Sequence, residues 1–457
     1  MGATVMEQSY SRFNKQTHIA PLAVLRIAFG SIMLVSTIRF LLKGWVYAFY
    51  IKPKFHFTFY GFDWIKPLGA FGMYTLFALL IIAAILIIVG LFYRIASITF
   101  FLCFTYVELI DKTTYLNHYY FISVMAFLMI WVPAQRYFSL DVVRKPQLLV
   151  TQVPLWTTGI FKFQLVLVYF FAGISKLTYD WLIAAIPLKI WLPANSQLPI
   201  IGGLLTQQWP AYLFSWAGML FDLLIGFLLL SRKTRKPAYL LVIIFHLATG
   251  LFFKIGMFPY IMICVTVIFF PPETHIRIID FLRRVLFRST NSTLKTEAVY
   301  QLSAYKPKLV FTVLIIHFAI QILLPLRYLL YPGNLYWTEE GYRFSWRVML
   351  MEKGGTAFFH VKDPATGKQT EIINSAYLTG FQERQMATQP DMILQYAHFL
   401  AQEYFQKGIK NPIVTADSYV TLNGSGSRLY IDNTVNLAKE QETFAHKKWI
   451  LPFKQTE

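Results

Sequence analysis

The sequence predicts a multi-pass α-helical membrane protein of about nine spans that ends in a mostly-β extracytoplasmic domain. Three observations predict it: a shortage of charge, a series of long apolar runs, and a change of texture after residue 331. Only 14% of the 457 residues are charged while 56% are hydrophobic, and the mean hydropathy is +0.48. A soluble domain carries about a quarter charged residues, so this chain has too little polar surface to meet water on all sides. The run AFGMYTLFALLIIAAILIIVGLFY, residues 70–93, holds no charge and is long enough to cross the roughly 30 Å hydrocarbon core as a helix.

Taken in order, the spans are read at 19–42, 70–93, 95–110, 118–133, 158–175, 210–230, 238–253, 256–271 and 309–331. The third, fourth and eighth are short, and tilting, re-entry or burial by neighbours would accommodate them. Basic residues orient the chain. Arg94, the loop with Arg136, Arg144 and Lys145, SRKTRKP at 231–237, and the segment with Arg277, Arg283, Arg284, Arg288, Lys295, Lys306 and Lys308 alternate onto the N-terminal side. The richer side is expected to be cytoplasmic, which puts the N-terminus inside and everything after about residue 331 outside, in the periplasm or lumen. The N-terminal stretch lacks the short apolar core and small-residue cleavage site of a signal peptide, so the first apolar segment is expected to stay in the protein. The net charge of +19 is spread between spans with no basic stripe. It reads as topology and lipid contact, not as nucleic-acid binding.

The domain division is expected at 1–331, transmembrane, and 332–457, extracytoplasmic. In the second part, AFFHVKDPATGKQTEII reads as two strands around a Pro/Gly turn, and IVTADSYVTLNGSGSRLYIDN repeats the scheme around Asn-Gly-Ser-Gly. Between them Pro390 opens a helix with Met392, Tyr396, Leu400 and Tyr404 on one face. The polar stretch 289–304 reads as an inner-side linker. The sequons at Asn291 and Asn423 and the cysteines Cys103 and Cys264 carry no inference.

Three chemical candidates fall on the outer side. YFFAGISKLTYDWL, residues 169–182, ends an apolar run at Lys176. A lysine at a span end ordinarily snorkels to water, but a desolvated one loses its preference for the ammonium form and can serve as a general base. DKTTYLNHYY brings Asn117 and His118 to the start of a span, where they can cap the helix or present an amide and an imidazole to an oxygen. His246 lies inside an apolar run, where a histidine bonds a neighbouring helix or binds a ligand. Arg26 and Asp222, also within spans, are expected to pair with buried groups and serve structure. No HxxxH, HExxH or CxxC occurs, so no metal is expected; GxSxG and Walker loops are absent too.

These stretches together resemble the vitamin K-dependent γ-glutamyl carboxylase family, including its shorter microbial relatives with an HTTM domain. LAVLRIAFG (22–30), GLFYRIA (90–96), DKTTYLNHYY (111–120), AGISKLTYDW (172–181), FH (245–246) with IGMFPY (255–260), RFSWRVML (343–350) and DMILQYAHFL (391–400) carry the likeness. The resemblance implies that Lys176 is the base that deprotonates vitamin K hydroquinone or menaquinol, that Asn117 and His118 hold the quinol oxygens, and that His246 belongs to the same site. It implies that Tyr342 lies near the bound glutamate. Where it leads to a histidine after SW-x-MMV, this chain has Leu350-Met351. The implied enzyme is a carbon–carbon lyase that uses the quinol, O₂ and CO₂ to carboxylate a glutamate-containing protein or peptide and releases the vitamin as its epoxide. Two alternatives stay open: quinol epoxidation or oxidation without carboxylation, and a non-catalytic membrane protein whose outer domain binds a partner.

Overall fold

A computed structural model describes residues 15–253, 255–287, 298–300 and 306–453. Arg288, Lys295, the sequon Asn291 and most of the 289–304 linker lie outside the described residues. The part of that linker that is described, 298–300, is docked: Val299 bridges to Gln152, and Tyr300 N donates to Gln152 O at 2.8 Å.

The membrane part is built from α1 Ala20–Leu42, α2 Gly69–Val89, α3 Tyr93–Ile110, α4 Asn117–Ile130, α5 Trp156–Ile174, α6 Trp209–Leu230, α7 Arg235–Phe252, α8 Phe258–Thr266, α9 Pro272–Phe287 and α10 Lys306–Leu323. Every segment read as a span is helical. Among the described residues, seven helices are long and apolar enough to cross a membrane by themselves. The other two segments are shorter. α4 has 14 residues, and α8 with its 3-10 extension to Phe269 meets α9 at a bend of 118°. The bend falls at Pro271-Pro272, where a missing N–H and the proline ring stop the helix.

Arg26 shows why a cation can stand inside α1. Its guanidinium donates to Ile87 O and Ile88 O at 2.7 Å each and to Phe138 O at 2.6 Å. The first two carbonyls lie at the negative end of α2, where Ile87 O also accepts from Gly90 N at 3.2 Å. Gly90 closes that helix at φ 66°, and a Cβ there would lie 2.4 Å from Arg26 Nη1. Arg26 is therefore structural, as its position in the span suggests.

The outer part is less β-rich than the sequence reading holds. β1 Lys353–Lys362, β2 Gln369–Glu371, β3 Ile413–Leu422 and β4 Arg428–Leu429 form one antiparallel sheet in the order β2-β1-β3-β4. Only β1 and β3 are long, so the tail is an α+β unit whose longer helices are α11 Gly380–Met386 and α12 Pro390–Gln406, after a single helical turn at Leu335–Thr338. Both expected hairpins and the Pro390 helix are present. α12 turns Met392, Tyr396 and Leu400 onto the sheet, with the Tyr396 ring 4.8 Å from that of Phe359. The outer hydrophobic core also takes in Phe57, Trp181, Leu188 and Leu192 from the loops between spans.

The loop after α3 fastens the two parts together. Lys112 Nζ meets Asp391 Oδ2 at 2.8 Å, and Arg343 Nη1 meets the same oxygen at 2.6 Å. Asp111 Oδ2 accepts from Gln382 Nε2 at 3.0 Å, and Phe344 N donates to Tyr115 OH at 2.8 Å. Burial works against the charge on Asp391, yet Arg343 and Lys112 hold its carboxyl well below the usual carboxylate range. Asp391→Asn would leave two largely buried cations unneutralised and should cost about 3 kcal/mol or more of stability. A carboxyl lowered on folding contributes above its unfolded value, about 3.9, and loses that contribution as the pH falls through the folded value. The gap in unfolding midpoint between wild type and Asp391→Asn should therefore be constant above about pH 5 and narrow on acidification. A gap that widened in acid would refute this account of the clamp.

Candidate active site

α5 ends at Ile174, and the backbone turns so that Lys176 N bonds to Gly173 O at 3.0 Å. The side chain then folds back instead of reaching to water. Lys176 is 6% exposed, and its Nζ lies 2.7 Å from Asp222 Oδ2, 3.3 Å from Ala172 O and 5.4 Å from the centre of the Trp181 ring. Snorkelling is not what this lysine does. Nor is it the isolated amine of the sequence reading, because Asp222 on α6 is its partner.

Gly173 makes that partnership possible. A Cβ at Gly173 would stand 2.6 Å from Leu223 N and 2.7 Å from Leu223 Cα, so α5 and α6 close up at the turn that carries Asp222. This is small-residue packing of the kind that brings membrane helices together.

Lys176 and Asp222 face a narrow cavity of about 110 Å³ whose wall includes Tyr169, Trp181, Phe214, Phe245 and His246. His246 is 3% exposed. Its Nε2 is 3.0 Å from Tyr169 OH, and its Nδ1 is buried with no partner. One nitrogen thus makes the interhelical bond expected of a core histidine, while the other is buried and unpartnered.

Asn117, His118 and Tyr342 lie in a second cavity, of about 740 Å³. The two cavities share Phe253, Ile255, Phe258, Val348 and Met349. Phe258 stands between the histidines, its ring 5.7 Å from that of His118 and 5.9 Å from that of His246. The predicted residues are therefore gathered as Lys176 with His246, and His118 with Asn117 and Tyr342, in adjoining chambers. Helix capping does not occupy His118 or Asn117, because α4 has no side-chain cap. Asn117 spends its amide differently from the sequence reading: Nδ2 donates to Arg347 O at 2.7 Å and Oδ1 accepts from Tyr115 OH at 3.0 Å. It positions the outer segment and keeps one N–H for a ligand. Burial, reinforced by Glu339, pushes the Tyr342 hydroxyl well above its usual range, so it is a neutral donor.

A family model of the HTTM domain matches residues 14–273, and a model of the lumenal domain of vitamin K-dependent gamma-carboxylase matches residues 306–456. The chain belongs to the vitamin K-dependent gamma-carboxylase family. No solved structure matches it. Both chambers lie across the two matched regions of this family member, since Val348 and Met349 come from the second and the rest of the shared wall from the first.

Sequence reading missed the pairing of Asp222 with Lys176, although both residues were visible in it. A lone carboxylate in one apolar span and a lone ammonium at the end of another were the available signal. Gly173→Ala should force the helices apart and lower stability by about 1–3 kcal/mol. Gly159 on the same helix has nothing within 4 Å of its Cβ position, and Gly159→Ala should be neutral or stabilising by up to about 1 kcal/mol. Thermal unfolding of the two variants side by side checks this; equal midpoints would mean that the helices are not held at contact by Gly173.

Proposed function

We propose that this membrane protein oxidises a naphthoquinol with O₂ and couples the oxidation to addition of CO₂ to a glutamyl side chain. The observation that carries the reading is the buried Lys176–Asp222 pair beside the unpartnered His246 Nδ1, next to the chamber of His118. Family membership supports the same chemistry.

The residues fit a naphthoquinol, within a limit of size. An engineered cavity of about 150 Å³ takes up benzene, so the 110 Å³ chamber is too small for a two-ring head. The 740 Å³ chamber has the room, and only the side chains of the shared wall stand between it and the chamber of Lys176. When bound, the quinol supplies the electrons that reduce O₂ and a strongly basic oxygen that can remove a γ-proton. The protein's part begins with a proton. Lys176 and Asp222 hold one proton between them in the ionic or the neutral arrangement, since burial disfavours separated charges. Uptake of a second proton, the one leaving a quinol hydroxyl, turns the pair into an ammonium and a carboxylic acid with net positive charge. That charge would face the developing negative oxygen across a mostly apolar wall. His246 Nδ1 and His118 can hold oxygens, and Tyr342 can donate a hydrogen bond without ionising.

A second reading, quinol oxidation without carboxylation, is favoured by one observation. Met351, the position after SW-x-MMV where the family resemblance leads to a histidine, is apolar and packs against the outer hydrophobic core. The same reasoning puts the N-terminus in the cytoplasm and the site at the outer membrane face, with the two-part division near residue 331.

The test is purified protein with reduced vitamin K, O₂, labelled bicarbonate and a glutamyl peptide. Epoxide with fixed label supports the carboxylase, epoxide alone supports the second reading, and neither product would leave a binding protein. Lys176→Met, alone and combined with Asp222→Asn to remove both charges, should lower epoxide formation by a factor of about 10² or more. Arg94→Ala, on an exposed side chain, should leave turnover per folded molecule unchanged. Full turnover in the folded Lys176→Met, Asp222→Asn double variant would remove the pair from the mechanism.

A further inference from the structure

The 740 Å³ chamber has a charge pattern that quinol binding does not explain. Among the described residues lining it there are two arginines, Arg39 and Arg347, and no aspartate or glutamate. Neither arginine is in any of the ion pairs found among the described residues. Arg347 is 6% exposed; it packs 4.2 Å over the Tyr328 ring and is hydrogen-bonded to Tyr336, but its Nε is buried without a partner. Arg39 lies over the Trp45 ring at 5.0 Å.

Other buried cations nearby are matched by an acid. Lys176 has Asp222, Arg343 has Asp391, and Lys353 has Glu339. A buried guanidinium with no anion is costly, and this one is held in place by a backbone that is costly too. Phe344, Trp346 and Met349 have φ values of 60°, 59° and 52°, a left-handed conformation that side chains disfavour. Two bonds from the loop that carries His118 fix the segment: Tyr115 OH to Phe344 N and Asn117 Nδ2 to Arg347 O. The next residues, Val348 and Met349, line both chambers.

We infer that Arg347, with Arg39 in the same chamber, receives the carboxylate of the substrate side chain. The inference rests on the proposed function for the identity of that side chain, a glutamyl residue, and on the structure for the charge it must carry. A guanidinium offers a planar pair of donors that matches a carboxylate, which an amide of the same shape cannot replace. The site therefore selects glutamyl over glutaminyl side chains by charge, and it places the chosen group beside the wall behind which Lys176 sits. The phosphate of a lipid headgroup has the same attraction to two arginines, so the experiment must separate the two sources.

Equilibrium binding of a short fluorescent peptide containing one glutamate is compared with the same peptide carrying glutamine, on the full-length protein. Wild type should prefer the glutamyl peptide by roughly tenfold or more, the range of a charge-assisted hydrogen bond. Arg347→Gln should bring the two affinities within about twofold of each other, Arg347→Lys should keep part of the preference, and Arg39→Gln should reduce it. If Arg347→Gln does not fold, the ratio measured on Arg347→Lys and Arg39→Gln decides. An unchanged preference in the folded variants, or displacement of the peptide by glycerol phosphate but not by free glutamate, overturns the inference. Epoxide formation measured on the same wild-type sample keeps the two ideas apart: preference without epoxide removes the proposed function and leaves a carboxylate site, whereas epoxide without preference removes this inference alone.

Discussion

The carboxylate of Asp391, lodged between Lys112 and Arg343, is the constraint on which the rest of the molecule depends. It stands in the first turn of α12, where the helix dipole favours an anion. The two cations come from different places, one from the loop after α3 and one from the segment that enters the outer domain. An anion held by both cannot follow one without leaving the other. The outer domain is thereby registered against the membrane helices, and the register extends along the loop. From Lys112 the chain runs through Tyr115, which accepts from Phe344, and Asn117, which donates to Arg347, to His118 in the large chamber. Residues that carry no chemistry thus determine where the imidazole sits relative to the arginine.

Charge placement separates structural groups from candidate chemical ones. Arg26 donates to three carbonyls and lines neither chamber, although its Nε is buried without a partner. Lys176 and Asp222 neutralise one another yet remain in contact with a cavity. That combination suits a group that must gain and lose a proton. A pair inside an apolar wall can take one proton and become cationic without ever presenting a bare charge to the lipid. The arginines of the other chamber lack such a partner, and in the proposed reaction the difference follows from what each set of charges would serve: a neutral hydroxyl at the edge of a ring about to lose its proton, and a carboxylate that is already charged.

Much of the fold was legible in the sequence because its signals are local. The nine apolar segments are helices, and the turn chemistry of 353–371 and 413–429 gives hairpins. Pro390 opens the helix it promised, and Arg26 is structural. The share of sheet was overestimated because each short return strand, β2 and β4, reads like a full one when alternation alone is considered. At the site, Lys176, His118 and His246 were visible as polar residues at the ends of apolar runs or within them, and Tyr342 was visible only through the family resemblance. Their partners were not. Lys176 finds Asp222 across 46 residues, and Asn117 finds the Arg347 carbonyl across 230. No periodicity encodes such pairings; they follow from which helices touch, and that is set here by the missing side chain at Gly173. Arg347 gave no signal because neither arginine of RFSWRVML stands out in the sequence, and only burial beside an acid-free cavity distinguishes the second.

The shared wall explains why two separately recognisable regions occur in one chain. Phe253, Ile255 and Phe258 come from the membrane half and Val348 and Met349 from the outer half. Neither half encloses either chamber without the other. In the proposed reaction a substrate with an apolar ring would come from lipid and one with a charged side chain from water, and a reaction between them needs a boundary that both can reach. A wall of aromatic and flexible apolar side chains meets that need: the rings offer stacking faces and Met349 can change rotamer at little cost. The strained backbone at Met349 then has a physical use. It holds the outer half of the wall against the membrane half, so that a group bound in the large chamber and the Lys176–Asp222 pair are separated by side chains that can move and not by a helix that cannot.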